Sequence, residues 1–574
     1  MIINAENRSF LHVLFLFLFI LCNPASAFAG GNNETSGTPS VQVPETSPVS
    51  SSTGGLADEI RSLTETGILS SMLHAIELIR SRDLNASDFG RLMSGVNTTL
   101  IRRVYPDSLS RLPVVDMPQT SNYARIIREA ERGAYMRPPS DSNDFLELVL
   151  PFLAVNNHDS DIWPIAVRDL ERAEQLQNAS VLPPYFTGII HEYAGRYSEA
   201  ITAYSRAYSI SGELYPAQIG IARVNRLTGN PAAAVSILSN LAVMYPDSKE
   251  IRRELALCYY TNHDWPRALP AVEEILRAEP RDGEFLLMRA HILIDQGNYS
   301  QANASLDNYA SINSNNRDYL YMRAQIQFDG SRNRDSALNY LRSILRTSPN
   351  DTQALIFAVT LLMDSQREGD HAEGRELLER LRQVSGSLIE VMNLSLRDAV
   401  RRESWQEAQR YLNSVLAVRR NAEDLTDGYH IERGLGNNAR ALAYARELYD
   451  RDTSNNDYTV IYISALIDNG QRTEASRLIE SRLNSITNAQ LKSRFFYLRS
   501  RLQADSEDAL SDLRSSLFED PRNLDAIIAM FEIYHNRREE RRAVYYLRQA
   551  LAIAPDHPQL RRYEIEYASL LGRN

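Results

Sequence analysis

The side chains of this chain that could carry out catalysis are few, and their spacing suits it poorly. His191-Glu192 opens like the H-E-x-x-H element of zinc proteases, in which two histidines on one helix face hold the metal, but residue 195 is glycine. His158-Asp159 and His263-Asp264 are each a metal-capable pair, yet two ligands do not close a zinc site, and both fall between apolar helical segments where surface or capping roles are expected. Gly434-Leu435-Gly436 lacks the preceding strand that a phosphate-cradling glycine loop needs. There is no G-x-S-x-G elbow, Walker loop or paired C-x-x-C. Only Lys249 and Lys492 could serve as a catalytic lysine, because the other basic residues are arginines; both lysines sit in helix-start or loop contexts. The N-x-[ST] triplets at Asn178, Asn298 and Asn350 use residue types natural to turns and caps. The reading is therefore no catalytic residue, no metal and no cofactor, and the chemistry that remains is recognition.

Bulk properties narrow the partner. The chain has 574 residues and a formal net charge of −11. An acidic balance argues against nucleic acid, which calls for a basic footprint. The length exceeds what one compact core usually takes. Cys22 and Cys258 are the only cysteines, so removal of the N-terminal segment would leave one and no internal disulfide. Cys258 is expected to pack as a small buried side chain.

The elements that must position recognition residues are visible as a ladder of small residues. Starting at Ala166, the series runs Ala200, Ala234, Ala268, Ala302, Ala337, Gly374, Ala408, Ala441, Ala475, Ala509 and Ala543, mostly in steps of 34. Four residues after most of these stands a bulky side chain, such as Leu170, Tyr204, Leu238, Val272, Leu306, Leu341, Leu412 or Leu547, on the same helix face. Prolines at 246, 280, 349, 521 and 555 mark helix ends. Gly195-Arg196-Tyr197, Thr228-Gly229-Asn230, His263-Asp264-Trp265, Gly297-Asn298-Tyr299 and Gly470-Gln471-Arg472 supply turns between paired helices.

This pattern, clearest from Val181 to Ala207 with Gly188, Tyr193, Ala200, Tyr204 and Ala207, resembles the tetratricopeptide repeat. The resemblance covers roughly residues 144 to 574, and the spacing slips around Gly374 and Ala441. It implies an all-α fold: an α-solenoid, a right-handed superhelix of about twelve helical hairpins. In that family the first helix of each hairpin lines a concave groove. The groove-facing positions fall here at Tyr185, Tyr193, Arg223, Arg226, Arg253, Tyr260, His291 and Tyr321, alongside Ile189, Ile219, Leu257, Leu287, Ile294, Gln325 and Phe328. Tyrosine and arginine carry much of the binding energy at interfaces. A clamp for a C-terminal carboxylate, which uses lysine and asparagine, is excluded by Tyr185 and Ile189. Arg223, Arg226 and Arg253 could pair with acidic segments of a partner.

Ahead of the repeats the sequence changes character. Residues 1–29, with Arg8 and His12 before the apolar run Val13 to Leu21 and then Ala25-Ser26-Ala27, read as a secretory signal; an uncleaved anchor is an alternative, and so is lipidation at Cys22, although Leu21 departs from the usual lipobox. Residues 30–55 are a Ser/Thr/Pro/Gly-rich tether. Residues 56–143 read as a helical cap over the first repeat, with helices from Ala57 to Arg82, from Ser87 to about Val104 and from Tyr123 to Ala134, and Leu112 to Pro118 as loop. Residues 144–556 are the repeats, and 557–574 a capping helix. Ser87-Asp88-Phe89-Gly90-Arg91 and Asp144-Phe145-Leu146-Glu147 resemble stretches of spirochaete envelope proteins. The expectation is an exported, periplasmic or envelope-associated bacterial scaffold for protein or peptide partners. It would bind no nucleic acid and meet the membrane only through its N-terminal segment. The alternatives are an assembly factor or chaperone for secreted and outer-membrane clients, an envelope enzyme acting on glycan, and a cytoplasmic scaffold anchored by its N-terminal run.

Overall fold

The computed structural model describes residues 53–81, 88–111, 121–154, 160–504, 506–555 and 557–571. The expected signal, most of the tether, Cys22, the Leu112–Pro118 loop and His158 lie outside the described residues. Every regular element among the described residues is a helix. The chain divides into two units, Met1–Asn315 and Asn316–Asn574.

In the first unit the short helix Phe145–Val149 packs on Trp163–Leu176 while Leu150–Ala154 packs on Asn122–Glu131, and four hairpins follow: Leu182–Tyr193 with Tyr197–Ile210, Tyr215–Leu227 with Pro231–Met244, Lys249–Thr261 with Trp265–Ala278, and Gly283–Asp295 with Tyr299–Asn313. The second unit repeats the hairpin from Arg317–Gln325 through Leu524–Asn536 with Glu540–Ile553, and ends in Pro558–Glu566 and Ala568–Leu571 rather than one helix. The ladder marks the seam between the helices of each pair. Ala166, Ala200, Ala234, Ala268, Ala302, Ala337, Ala408, Ala475 and Ala543 are wholly buried, and so are the bulky partners Leu238, Val272, Leu306, Leu341, Leu412 and Leu547. A small residue lets the two backbones approach, and the large one a turn later fills the space against the next pair. Each hairpin thus buries its faces on its neighbours, which is how a chain of this length avoids needing one large core.

The tight turn inside most hairpins uses one residue in the left-handed region. Gly195, Gly229, Gly297, Gly436 and Gly470 hold it with φ from 69° to 81°. In four hairpins a side-chain-bearing residue takes the same place: His263, Arg332, Glu403 and Arg538, with φ between 53° and 58°. That conformation costs an L-residue about 1 kcal/mol. Glu403→Gly is therefore expected to raise the stability of its hairpin slightly, by up to about 0.5 kcal/mol once the greater chain entropy of glycine is deducted. Urea titration followed by hydrogen exchange in Ile389–Arg401 checks this.

The segment ahead of the repeats departs from the expected cap in two ways. The stretch from Ala57 to Arg82 is two helices, Thr53–Thr66 and Leu69–Ser81, broken at Gly67 with φ 71°. Gly67 is required on two counts: its backbone is left-handed, and a Cβ there would run into Leu182. Around it the Val181 N–H donates to the Thr66 carbonyl at 3.0 Å, and the Tyr105 hydroxyl donates to the Gly67 carbonyl at 3.2 Å. The segment also reaches past the first hairpin. Ser70 donates to Glu213 at 2.7 Å, the rings of Tyr105 and Tyr215 lie 5.8 Å apart, and Ser248 hydrogen-bonds Asp107. One continuous apolar core runs from Leu56 through Tyr105, Phe186 and Tyr215 to Cys258.

Cys258 is fully buried as expected, and burial pushes its thiol up to about 12. Alkylation by iodoacetamide at pH 8 is expected to wait on local opening of Lys249–Thr261, so labelling should accelerate in urea in step with unfolding of that helix.

Candidate partner-binding surface

The positions expected to face a groove do lie on the first helix of each hairpin, but the structure gives them different work. Tyr185 is 8 % exposed and Tyr321 is 1 % exposed. Tyr185 is enclosed by Phe186 and Tyr204, at 5.6 and 5.9 Å between ring centroids, and Tyr321 by Phe357 at 5.8 Å and the Arg317 guanidinium at 4.9 Å. The chain's own Val104–Arg111 stretch lies against the amino ends of the first helices here, through Tyr105 on Tyr215 and Asp107 on Ser248. His291 is also buried, with Nδ1 2.9 Å from the Tyr260 hydroxyl and its ring edge-on to Trp265. Tyr193 is the outlier, 41 % exposed at the carboxyl end of its helix.

The three arginines form a ladder of ion pairs between successive hairpins. Arg223 Nε donates to Glu192 Oε1 at 2.6 Å in the hairpin before it, and Arg223 Nη1 to Glu254 Oε1 at 3.3 Å in the hairpin after it. Arg226 Nη2 joins Glu254 Oε2 at 3.2 Å. Arg253 pairs in turn with Asp282, Glu279 and Glu284, and its guanidinium lies 4.6 Å over the Phe285 ring. Glu192 also accepts from the Tyr204 hydroxyl at 2.7 Å. The carboxylate side chains are nearly closed off, 8 % exposed for both Glu192 and Glu254, whereas Arg223 keeps 28 %. Burial by itself lowers the Arg223 guanidinium, but Glu192 and Glu254 outweigh it and hold it well above its ordinary value. Glu250 and Glu284 are pushed up, first by burial and then by neighbouring carboxylates, although Arg223 and Arg253 draw them down.

This changes the expected partner chemistry. Arg223, Arg226 and Arg253 are already matched, so they do not wait for acidic guests. Around them Glu192, Glu250, Glu254, Glu279, Asp282 and Glu284 outnumber the cations, Lys249 included. The surplus carboxylates, Glu192, Glu254 and Asp282, are the enclosed ones, and on the more open part of this face Glu250, Glu279 and Glu284 stand against Arg223, Lys249 and Arg253. Sequence reasoning missed the carboxylates because they are offset by 31 residues rather than by the 34 of the repeat: Glu192, Arg223 and Glu254 follow one another at that step. A shift of three residues is almost one helical turn, which brings the next hairpin's side chain alongside.

In the second unit the same device uses aspartate. Arg397 meets Asp364 at 2.5 Å, Arg433 meets Asp468 at 3.0 Å, and Arg501 reaches the same Asp468. Asp427 is different. Burial, with Glu423 and Asp424 beside it, pushes its carboxyl up to about 6 despite Arg397 and Arg419. A folded value above the unfolded one of about 3.9 means stability is complete below pH 4, is lost as pH rises through 6, and stays flat beyond. Asp427→Asn is therefore expected to leave stability unchanged at pH 4 and to raise it by about 1 kcal/mol at pH 7.5, discounting for solvent screening. Urea midpoints of both proteins across that range measure it.

Tetratricopeptide repeat models match residues 222–283 and 259–326. Residues 222–326 therefore carry tetratricopeptide repeats. Solved structures similar to it include PilW, a type IV pilus biogenesis factor, at 19 % identity over 36 % of this chain and 94 % of that one, TM-score 0.32. Others are a tetratricopeptide repeat protein from Parabacteroides merdae, at 16 % identity over 47 % and 98 % with TM-score 0.32, and yeast Tom70, at 9 % identity over 79 % and 96 % with TM-score 0.30. No curated protein matches the chain. Likenesses at these scores assign no partner.

Proposed function

We propose that the protein is a non-catalytic scaffold of the bacterial cell envelope that holds protein or peptide partners along the first-helix face of its repeats. The observation that carries the reading is the ladder in the first unit. Ion pairs lock neighbouring hairpins in register, and the side chains of Tyr193, Arg223, Glu250 and Arg253 remain partly open to solvent. A face ordered before binding costs a partner little to engage. Its arginines already have anions, so it offers no unpaired guanidinium ladder to an acidic segment. The export reading rests on the apolar run Val13–Leu21 followed by Ala25-Ser26-Ala27.

A second reading, an assembly factor for secreted clients, draws support from apolar side chains exposed at the ends of second helices: Val243 at 83 % and Met244 at 59 % in one unit, Val418 at 69 % and Phe518 at 86 % in the other. Crosslinking in the native host, followed by affinity purification and mass determination of the mature N-terminus, tests both. A fixed stoichiometric partner with the chain in the envelope fraction supports the scaffold, and a broad, exchanging client set supports the assembly factor. A chain that keeps Met1 and fractionates with the cytoplasm removes the envelope role from either.

A further inference from the structure

A second docking position, independent of the first-helix face, lies within one hairpin of the second unit. Phe518 is 86 % exposed in the last turn of Ser506–Glu519. Beside it stands Phe496 from the antiparallel helix Ala489–Ser500. With Arg514, Ser515 and Glu519 they line an open groove of about 400 Å³. Neither phenylalanine belongs to the apolar cores on either side, which take Phe495, Leu498, Leu510 and Leu513 instead. On the first-helix face of this hairpin Arg494 and Arg501 are engaged by Asp457 and Asp468. Phe496 is two residues from one and five from the other, which puts it roughly 140–160° round the helix from both.

The charges around the rings are nearly balanced. Lys492 and Arg499 lie 5.9 and 5.1 Å over the Phe496 ring, and each has its own anion, Glu519 at 2.6 Å and Asp512 at 2.5 Å. The Arg514 side chain is exposed and makes no hydrogen bond or ion pair among the described residues. The groove therefore presents two aromatic surfaces and one uncompensated guanidinium. We propose that it takes a short partner segment in which an aromatic side chain stands next to a carboxylate. The apolar group would leave water against Phe496 and Phe518, and the carboxylate would meet the guanidinium fork of Arg514.

The test uses the full chain and a fluorescein-labelled peptide, Gly-Ser-Asp-Phe-Glu-Phe-Ser-Gly, against its counterpart with Asn and Gln in place of Asp and Glu, read by fluorescence anisotropy. The wild type should prefer the acidic peptide by about tenfold. Arg514→Glu should abolish the preference, and Phe518→Ala should weaken both peptides. Both side chains are exposed, so the melting temperatures should stay unchanged. Failure of the wild type to bind, or equal binding by the three proteins, overturns the proposal. So does a concentration-dependent dimer in sedimentation that Phe518→Ala dissolves, because the occupant would then be a second copy of the chain.

Discussion

Gly188→Ala is expected to destabilise the first full hairpin by about 2 kcal/mol, even though alanine is the better helix former. The Tyr204 ring is sandwiched between two glycines, one on its own first helix and one on the next. A Cβ at Gly188 would lie 2.6 Å from Tyr204 Cδ1, and a Cβ at Gly220 would lie 2.6 Å from Cε2. The ring has no room to slide, since Glu192 holds its hydroxyl at 2.7 Å. In the next hairpins the place of Gly188 is taken by Ala222, Ala256 and Ala290, and the place of Tyr204 by Leu238, Val272 and Leu306. The pairs are matched in volume, so a larger first-helix residue goes with a smaller second-helix one. Gly188→Ala combined with Tyr204→Leu should thus recover most of the loss, whereas two independent defects would add. Hydrogen exchange in Leu182–Tyr193 and Tyr215–Leu227 resolves the local effect that a global melt would blur.

Glu254→Gln is expected to cost about 2 kcal/mol, felt in the second and third hairpins together. The carboxylate serves Arg223 and Arg226 at once, and the amide would leave two partly desolvated guanidinium groups without their shared anion. Exposed Glu199, changed to Gln, is the control, with an effect below about 0.5 kcal/mol. Breaking Arg226 in the same protein should cost less than the sum of the two single changes, by about 1 kcal/mol or more. Additive costs would mean that the ladder is decorative.

The hairpin ladder was legible because it is steric. A small residue is needed wherever two helices cross closely, so Ala200 or Ala268 recurs at the length of the repeat whatever surrounds it. The αL turn residues were less regular, since His263 and Glu403 stand where glycine would be expected. The positions expected to face a groove lie on the first helix of each hairpin, but the work of their side chains was not readable. Whether Arg223 faces a guest or a neighbour depends on Glu192 and Glu254, which sit one helical turn out of register with the repeat. Tyr185 is closed in by Phe186 and Tyr204 of its own hairpin, whereas the contact of Asp107 with Ser248 spans 141 residues. No periodicity signals such a contact. Gly67 was passed over inside an apolar helical pattern, although a glycine followed by two more apolar positions is where the helix breaks.

The central claim is that the open first-helix face of the first unit receives a partner. The most direct measurement replaces Tyr193 with a benzoylphenylalanine photo-crosslinker in the native host, with Thr202 on the exposed second helix as the comparison site. The claim predicts a discrete covalent adduct from position 193 that is absent from position 202 and is lost when Glu284 and Glu250 are changed to glutamine. Identical adduct patterns from both positions, or none from position 193 in a folded and abundant protein, would contradict it.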